Sequence, residues 1–219
     1  MDLPIQNLVP DPDFAVGIVL AEGVQAAPSP EPLAALISEL VARRAAEEFP
    51  PAPVKEAVRQ LLKRGGFKPS GRNKPASEYL AQAAREGRFP RINNLVDVNN
   101  LLSLETGLPI SLLDLAAFSG RVELRYGRAG EKYVFNNSGQ EIELEGLICA
   151  CGAAPLGNPV KDSMAGKLQA GTSSVIGIIY ASRVCADGRG LAAHVARFAE
   201  LLERFAAAGK ARTMVLPPA

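Results

Sequence analysis

Asparagine and aspartate side chains are concentrated in one otherwise apolar stretch, INNLVDVNNLLSLETGLPISLLDL, which begins at Ile92. Asn93, Asp97 and Asn100 recur at intervals of four and three residues, which places them on one face of a helix. Asn and Asp are unfavourable inside helices because their side chains compete for backbone hydrogen bonds. A helix that carries a row of them beside an apolar stripe gives up stability for polar contacts, so we expect a binding site there.

Side-chain amides suit a particular kind of chemistry. They can orient an ammonium group, a carbonyl or a water without carrying a charge. Hydrolysis of an already activated ester needs positioning and oxyanion donors more than it needs a strong nucleophile. The Asn-rich helix is therefore compatible with ester hydrolysis as well as with simple binding.

The net charge of +1 conceals an uneven distribution of charge. Residues 1–54 carry a net charge of −6 and residues 55–91 carry +7, while residues 92–219 are balanced. A basic block beside the Asn-rich segment suits a phosphate-bearing partner, because Lys and Arg attract phosphate and release counterions. The simpler alternative is a solvated helix face that offsets the acidic N-terminal part. On the nucleic-acid interpretation, we predict phosphate contacts from Lys68, Arg72, Lys74, Arg88 and Arg91.

Few residues could act as nucleophiles or metal ligands. The single histidine, His194, lies beside the apolar stripe of the last predicted helix, which favours a packed helix residue over a base. Cys149 and Cys151 are spaced as C-x-C in a predicted strand, and we expect one to point inward and the other outward. A zinc site would need both of them together with Cys185 and His194. We therefore predict no metal and no cofactor.

The composition indicates a globular protein with an aliphatic core, because 47% of the residues are hydrophobic and Trp is absent. Three cysteines, an odd number, argue against a disulfide framework and for a reducing compartment. No apolar run approaches the roughly 18–20 residues that span a bilayer, and the N-terminus lacks a signal-peptide pattern. We predict a cytoplasmic protein without a membrane partner.

The order of the patterns predicts an α+β fold in a single domain, residues 1–219. The first helix is expected to begin with Ser29 as its N-cap. Further helices are expected over residues 54–64, over residues 76–85, in the Asn-rich segment and over residues 190–208. Strands are expected at residues 14–21, 122–126, 131–135, 141–144, 147–150 and 174–180, with a hairpin turn at residues 136–139.

The Asn-rich segment resembles the signature of the tRNA-binding and editing domain (the B3/B4 domain) of the phenylalanyl-tRNA synthetase beta subunit. That signature has an I-N-x-V-V-D-x-x-N-Y segment, then Gly-x-Pro, then a histidine and an aspartate. The likeness continues through Gly120-Arg121-Val122 and Gly130-Glu131, and FKPSGRNKPASEYL is similar to freestanding versions of the domain. It covers about residues 61–181 and implies a β-barrel-like, mixed sheet core with helical insertions.

The resemblance also implies a function. A freestanding hydrolase of this kind binds the 3′ end of a mischarged tRNA and cleaves the aminoacyl ester in trans, without a metal. The resemblance places Asn99 and Asn100 in the pocket, with Gly166 and Thr172 on the opposite wall. Together with the polar residues of the segment, the predicted pocket set is Asn93, Asn94, Asp97, Asn99, Asn100, Ser111, Gly166 and Thr172.

Two positions depart from the family pattern. Ser111 stands where the family has its histidine, and Ile178 falls near the glutamate with which the family recognises a tyrosine hydroxyl. A site built to bind a hydroxyl rejects analogues that lack it, so losing both groups favours a smaller or more apolar amino acid. Two alternatives stay open: a tRNA- or RNA-binding module without hydrolysis, and a pocket for a free amino acid with no RNA partner.

Overall fold

The computed structural model describes residues 3–183 and 190–219, which contain ten strands and five α-helices. The strands are β1 (Ile5–Asn7), β2 (Phe14–Glu22), β3 (Ile110–Asp114), β4 (Val122–Tyr126), β5 (Lys132–Val134), β6 (Glu141–Glu143), β7 (Ile148–Cys151), β8 (Pro155–Gly157), β9 (Ser174–Ser182) and β10 (Arg212–Leu216). The helices are α1 (Glu31–Ala45), α2 (Ala52–Arg64), α3 (Ala76–Arg85), α4 (Asn94–Thr106) and α5 (Gly190–Phe205). The predicted α+β class is confirmed.

A four-stranded antiparallel sheet in the order β10-β2-β9-β3 forms the middle layer. Strands β2 and β9 are continuous apolar runs, as expected for strands that are buried on both faces. In β2, Val19 packs into a core shared with the helices, whereas Ile18 packs into a second core shared with the other sheet. This sheet therefore separates a helical layer from a second layer of strands, and β3 lies at its edge.

The second sheet has the order β1-β4-β7-β8, in which β1 and β4 are parallel and the other pairs are antiparallel. Strands β5 and β6 form a separate hairpin, and Gly139 N donates to Asn136 O (3.1 Å) in its predicted turn. The strands in the described part of the chain form these separate sheets and do not close into a barrel. The barrel-like core expected from the resemblance takes the form of two packed sheets.

Helix α1 begins differently from the prediction. Its N-cap is Pro30, which makes no side-chain capping bond, so the predicted cap at Ser29 is wrong. The Ser29 hydroxyl instead donates to Asp97 Oδ2 on α4 (2.7 Å). A side chain that looked like a local cap thus joins two helices.

Helix α4 is fixed at both ends. The side chain of Asn93 caps its start by accepting from Val96 N (3.0 Å), and Gly107 ends it at φ +76°, a left-handed conformation that glycine adopts without strain. Leu95 and Leu102 are buried in the core shared by the helices and the middle sheet. No helix in the described ranges is long and apolar enough to cross a membrane.

Candidate functional site

A cleft of about 1540 Å³ lies between α3, α4, the edge strand β3 and the β5–β6 hairpin. Apolar side chains from several elements line it: Leu80, Val96, Ile110, Leu112, Val160 and Leu168. Ordinary small-molecule pockets measure roughly 300–1,000 Å³. The cleft is therefore large enough for a ligand longer than a single amino acid.

Two asparagines of α4, Asn99 and Asn100, line this cleft. Asn99 Nδ2 donates to Ile110 O (3.4 Å), while Asn99 Oδ1 is buried and has no hydrogen-bond partner among the described residues. Asn100 is only 8% exposed as a residue, and its side-chain amide makes no hydrogen bond with any other residue that the structure describes. A buried polar group without a partner costs on the order of 1–3 kcal/mol. The Asn100 amide, which lines the cleft and has no partner among the described residues, is therefore a place where a ligand can supply one.

Asn94 belongs to the scaffold, which corrects the prediction that it lines the pocket. Its Nδ2 donates to Gln25 O (3.0 Å) and Phe205 O (2.9 Å), and its Oδ1 accepts from Ala27 N (2.9 Å). These bonds tie α4 to the segment after β2 and to the end of α5. Asn93 does line the cleft, although its Oδ1 is used to cap α4.

Asp97 is also internal, and its predicted place in the pocket is corrected for the same reason. Its carboxylate accepts hydrogen bonds from Ser29 Oγ (2.7 Å), Ile92 N (2.9 Å) and Arg91 Nε (3.1 Å). The Arg91 side chain, predicted to contact tRNA, is directed at this carboxylate and is not among the described residues that line the cleft. Together they hold the chain before α4 against the start of α1.

A polar cluster lies at the edge of β3, beside the cleft. Ser111 Oγ donates to Asp162 Oδ1 (2.6 Å) and lies 3.2 Å from the hydroxyl of Tyr180. Asp162 lines the cleft, whereas Ser111 is 1% exposed and is not among the described lining residues. Burial raises the pKa of Asp162 to about 7, against the opposing effect of hydrogen bonds from Ser111 and the Asn158 backbone. A carboxyl group that titrates near neutral pH therefore faces the cleft.

The pairing of β3 with β9 bears on the two positions at which this sequence departs from the family pattern. Ser111 lies directly opposite Ile178 in the pairing of β3 with β9. Asp162 thus places a carboxyl group within hydrogen-bond distance of Ser111, the position at which the family pattern has its histidine.

The loop after β8, which carries Asp162, is fixed by Asn158. Asn158 Oδ1 accepts from Val160 N (2.7 Å) and Lys161 N (2.8 Å), and its Nδ2 donates to the hydroxyl of Tyr133. The Tyr133 hydroxyl in turn donates to Lys161 O (2.6 Å). These bonds hold the loop in one conformation and so define the position of the Asp162 carboxyl group.

The charged side chains that line the cleft are mainly basic. They are Arg72, Lys74, Arg88, Lys161 and Lys167, against Glu141 and Asp162. Burial lowers the pKa of Lys161, and the nearby charge of Arg72 lowers it further. A bound phosphate would offset that repulsion. Three of the predicted tRNA contacts therefore lie in the cleft, whereas Lys68 is exposed and is not among the described lining residues.

Two aromatic rings stand beside these cations. Tyr79 on α3 is 48% exposed, and the guanidinium carbon of Arg88 lies 5.5 Å from its ring centroid. The Lys161 ammonium lies 4.2 Å from the ring centroid of Phe135. Rings next to cations are typical of surfaces for single-stranded nucleic acid, because bases stack on the rings while the cations hold phosphates.

Gly166 and Thr172 are not among the described residues that line the cleft, so their predicted place on its opposite wall is corrected. A Cβ atom on Gly166 would lie 2.8 Å from Leu156 O, which shows that glycine is needed there for close packing. Thr172 Oγ1 donates to Asp114 Oδ2 (2.6 Å) and accepts from Gln169 N (2.8 Å). Both residues shape the chain between β8 and β9.

Both cysteines of β7 are buried, so the prediction that one points outward is wrong. Side chains alternate along a strand, and residues two apart therefore fall on the same face. Burial raises the pKa of the Cys149 thiol well above its ordinary value and that of Cys151 to about 12, which makes both thiols inert at neutral pH. Cys185 lies outside the described residues. Within residues 3–183 and 190–219, no three His, Cys, Asp or Glu side chains are grouped so as to hold a metal ion. His194 is buried in α5.

Comparison with known families identifies the relationship. The family model described as the B3/4 domain matches residues 58–181, more than half of the 219 residues. The chain belongs to the B3/4 domain family. The matched range contains α3, the Asn-rich helix α4, the β3 edge and the loop that carries Asp162.

Relatives of this B3/4 domain protein include beta subunits of phenylalanine–tRNA ligase. The subunit from Legionella pneumophila (strain Paris) is 32% identical over 99 residues, which are 44% of this chain and 12% of that protein. The subunit from Pseudomonas fluorescens (strain Pf-5) is 33% identical over 72 residues, which are 33% of this chain and 9% of that protein. The matched region thus spans only a small part of these relatives.

A solved structure gives the same relationship at the level of the fold. The crystal structure of an N-terminal fragment of the phenylalanyl-tRNA synthetase beta subunit from Pyrococcus horikoshii aligns with 99% of this B3/4 domain protein and 55% of that fragment. The TM-score is 0.51 at 11% sequence identity, so this likeness concerns the fold alone.

Sequence reasoning missed Asp162, Lys161 and Lys167 as residues of the cleft. The segment GNPVKD carries a weak signal, because an Asn-Pro pair after a strand favours a fixed turn and charged residues follow it. Nothing in the local sequence places that turn beside β3, which precedes it by more than forty residues.

Proposed function

We propose that this B3/4 domain protein binds the 3′ end of an aminoacylated tRNA in the cleft and hydrolyses the ester that joins a wrong amino acid to it, acting in trans. The observation that carries the proposal is the Asn100 amide, which has no hydrogen-bond partner among the described residues and lines, with Asn99, a cleft that has apolar walls and basic side chains. The relationship to phenylalanine–tRNA ligase beta subunits supports an aminoacyl-tRNA as the substrate class.

The apolar wall would hold the side chain of the amino acid. Val96, Ile110 and Leu112 contribute aliphatic surface next to the two amides. Burial of aliphatic surface stabilises a bound group by about 25 cal/mol for each Å² removed from water. This wall favours an amino acid with an apolar side chain.

The amides would hold the reacting group. Asn100 Nδ2 can donate to the ester carbonyl oxygen and to the oxyanion that forms when water adds to the carbonyl carbon. A fixed donor aimed at developing negative charge is the effect that most lowers the barrier in such reactions. Asn99, the preceding residue of α4, lines the same cleft, and its Nδ2 donates to Ile110 O (3.4 Å). The products are the free amino acid and a tRNA with a free 3′ hydroxyl.

The direct test is a panel of tRNAs, each charged with a wrong amino acid, mixed with the purified chain. At least one pair is expected to lose its amino acid faster than the spontaneous rate, and apolar amino acids should be released fastest. Spontaneous hydrolysis without protein is the control. No acceleration on any pair would contradict the proposal.

The basic rim leads to a separate prediction about affinity. The double variant Arg72→Glu, Lys74→Glu is expected to weaken tRNA binding by roughly tenfold or more and to reduce the salt dependence, because each phosphate contact to a single strand contributes about 0.7 to the slope of log K against log salt. Fluorescence anisotropy with labelled tRNA at several salt concentrations measures both quantities.

The matched control for this prediction is Lys210→Glu, at an exposed lysine that is not among the cleft residues. It should leave affinity and salt slope close to those of the unmodified protein. Equal losses for the control and the double variant would mean that tRNA is attracted by the overall charge and not held at the cleft.

A second candidate function is tRNA binding without turnover. The observation that favours it is the burial of Ser111, since the position at which the family pattern has histidine offers no side chain to the cleft. It predicts salt-dependent tRNA affinity with no acceleration in the deacylation panel. A pocket for a free amino acid is supported by a different result. In that case neither the unmodified protein nor the Arg72→Glu, Lys74→Glu variant binds tRNA, and the variant binds free amino acid as well as the unmodified protein does.

A further inference from the structure

The carboxyl group of Asp162 is anchored at one oxygen and open at the other. Its Oδ1 accepts from Ser111 Oγ (2.6 Å) and from Asn158 N (3.2 Å). Its Oδ2 has no hydrogen-bond partner among the residues that the structure describes, although the side chain lines the cleft. This arrangement holds the group rigidly while it leaves one oxygen free for a ligand or a water.

We propose that Asp162 is a catalytic residue of the deacylation, the general base that removes a proton from the attacking water; this inference rests on the proposed function. Asp162 shares the cleft lining with Leu112 and Val160, and its burial disfavours the charged form of the carboxyl group. Proton transfer is most efficient when the pKa of the base lies near the working pH. The pKa of Asp162, raised by burial to about 7, meets that condition, whereas an ordinary aspartate would be too weak a base.

The proposed step balances without any further reactant. The water oxygen bonds to the ester carbonyl carbon while one of its protons passes to Asp162 Oδ2. When the bond between that carbon and the ribose oxygen breaks, the electron pair goes to the ribose oxygen, which takes the proton back from Asp162. Asp162 is then again a carboxylate, and no covalent intermediate with the protein forms.

Ser111 has a different part in this scheme. A serine hydroxyl 2.6 Å from a carboxylate resembles a nucleophile with its base. However, Ser111 is 1% exposed, lies against the Tyr180 hydroxyl and is not among the described lining residues, so an ester in the cleft cannot reach it. Ser111 is therefore a positioning residue that orients Asp162.

The groups that face Asp162 decide how its charge varies with pH. The charge of Lys167 favours the carboxylate form, as does the bond from Ser111. Tyr133 on β5 and Tyr180 on β9 stay neutral, because burial raises their pKa values well above 10. The two cysteines of β7 are neutral for the same reason. The base acts in its deprotonated form, so the catalysed rate should rise with pH and level off above about 7.

The experiment compares the unmodified protein with Asp162→Asn in single-turnover deacylation, using the mischarged tRNA that the unmodified protein hydrolyses fastest. After subtraction of spontaneous hydrolysis, the variant is expected to be at least about 100-fold slower, with tRNA affinity unchanged, and to lose the inflection near neutral pH. Asparagine keeps an oxygen that can accept from Ser111, so the fold should be retained, which circular dichroism verifies. The matched control is Glu143→Gln, an exposed residue of β6 that is not in the cleft lining.

The outcomes distinguish the role of Asp162 from the proposed hydrolysis of mischarged tRNA. Hydrolysis at full rate by Asp162→Asn, with the same pH profile, overturns the role of Asp162 and leaves the proposed function standing. Loss of tRNA affinity together with the rate would also overturn it, because the residue would then hold the substrate or the fold. A flat pH profile for the unmodified protein overturns it even if the variant does not fold. If the unmodified protein hydrolyses no mischarged tRNA, both statements fail.

Discussion

Replacing Asn100 by alanine is expected to slow deacylation by about 100- to 1000-fold, the loss that follows removal of one oxyanion donor from a preorganised site. The fold should tolerate the change, because the Asn100 amide makes no hydrogen bond with another described residue. Because the change removes no hydrogen bond within the described part of the protein, the melting temperature is expected to stay close to that of the unmodified protein. Single-turnover rates at saturating protein, together with a thermal melt, measure both effects.

The control for this prediction is Asn137→Ala, in the exposed turn between β5 and β6. It removes the same chemical group from a position that is not among the cleft residues, and it should hydrolyse at the unmodified rate. Full activity of Asn100→Ala would show that this amide does not touch the reacting ester.

Replacing Asp97 by alanine is expected to lower the free energy of unfolding by about 3 kcal/mol, because removal of one partner from a buried ion pair leaves several donors without an acceptor. Those donors are the Ser29 hydroxyl, the Ile92 backbone N–H and the Arg91 guanidinium. Urea unfolding followed by circular dichroism measures the change. The exposed pair of Asp13 with Arg64 (2.6 Å) provides the comparison, since Asp13→Ala should cost less than about 1 kcal/mol.

The same Asp97 variant separates a scaffold residue from a substrate residue. At a temperature where it is fully folded, it should still hydrolyse mischarged tRNA at a rate close to that of the unmodified protein. Unchanged stability combined with lost hydrolysis would contradict a scaffold role. It would instead support the place in the substrate pocket that the spacing of Asp97 to Asn93 and Asn100 predicts.

Local patterns sufficed for the elements that carry their own signal. Helix α3 was predicted over its full length, and β2 and α4 were recognised from a continuous apolar run and from a polar and apolar periodicity closed by Gly107. Each of these segments has a period, a cap or a stop within the element itself. That is why their existence and type follow from sequence alone.

Short strands carry no comparable signal. Strands β1, β3, β8 and β10 were not predicted, and β1 and β8 have only three residues each. Strand β3 forms because β9, which lies more than sixty residues later, offers it an antiparallel partner. Pairing at that separation depends on tertiary packing and leaves no periodicity in so short a segment.

The sequence predicted some of the residues that line the cleft, but not which polar residues of α4 line it and which stabilise the fold. Asn94 and Asn100 have the same side chain and lie less than two helical turns apart, yet one ties α4 to α5 and the other faces the cleft. Only the packing of neighbouring elements distinguishes them. Asp162 escaped prediction for a related reason, since its partner Ser111 is about fifty residues away in the chain.

Binding of a charged tRNA end in this cleft can be followed by nuclear magnetic resonance of the side-chain amides. The ligand for the titration is an aminoacylated adenosine in which a stable amide replaces the ester. We expect the Nδ2 signals of Asn99 and Asn100 to shift in a saturable manner, while those of Asn94 and Asn137 do not. Binding of the analogue with the Asn99 and Asn100 signals unmoved, or no binding at all, would contradict the claim that the end of a charged tRNA enters this cleft.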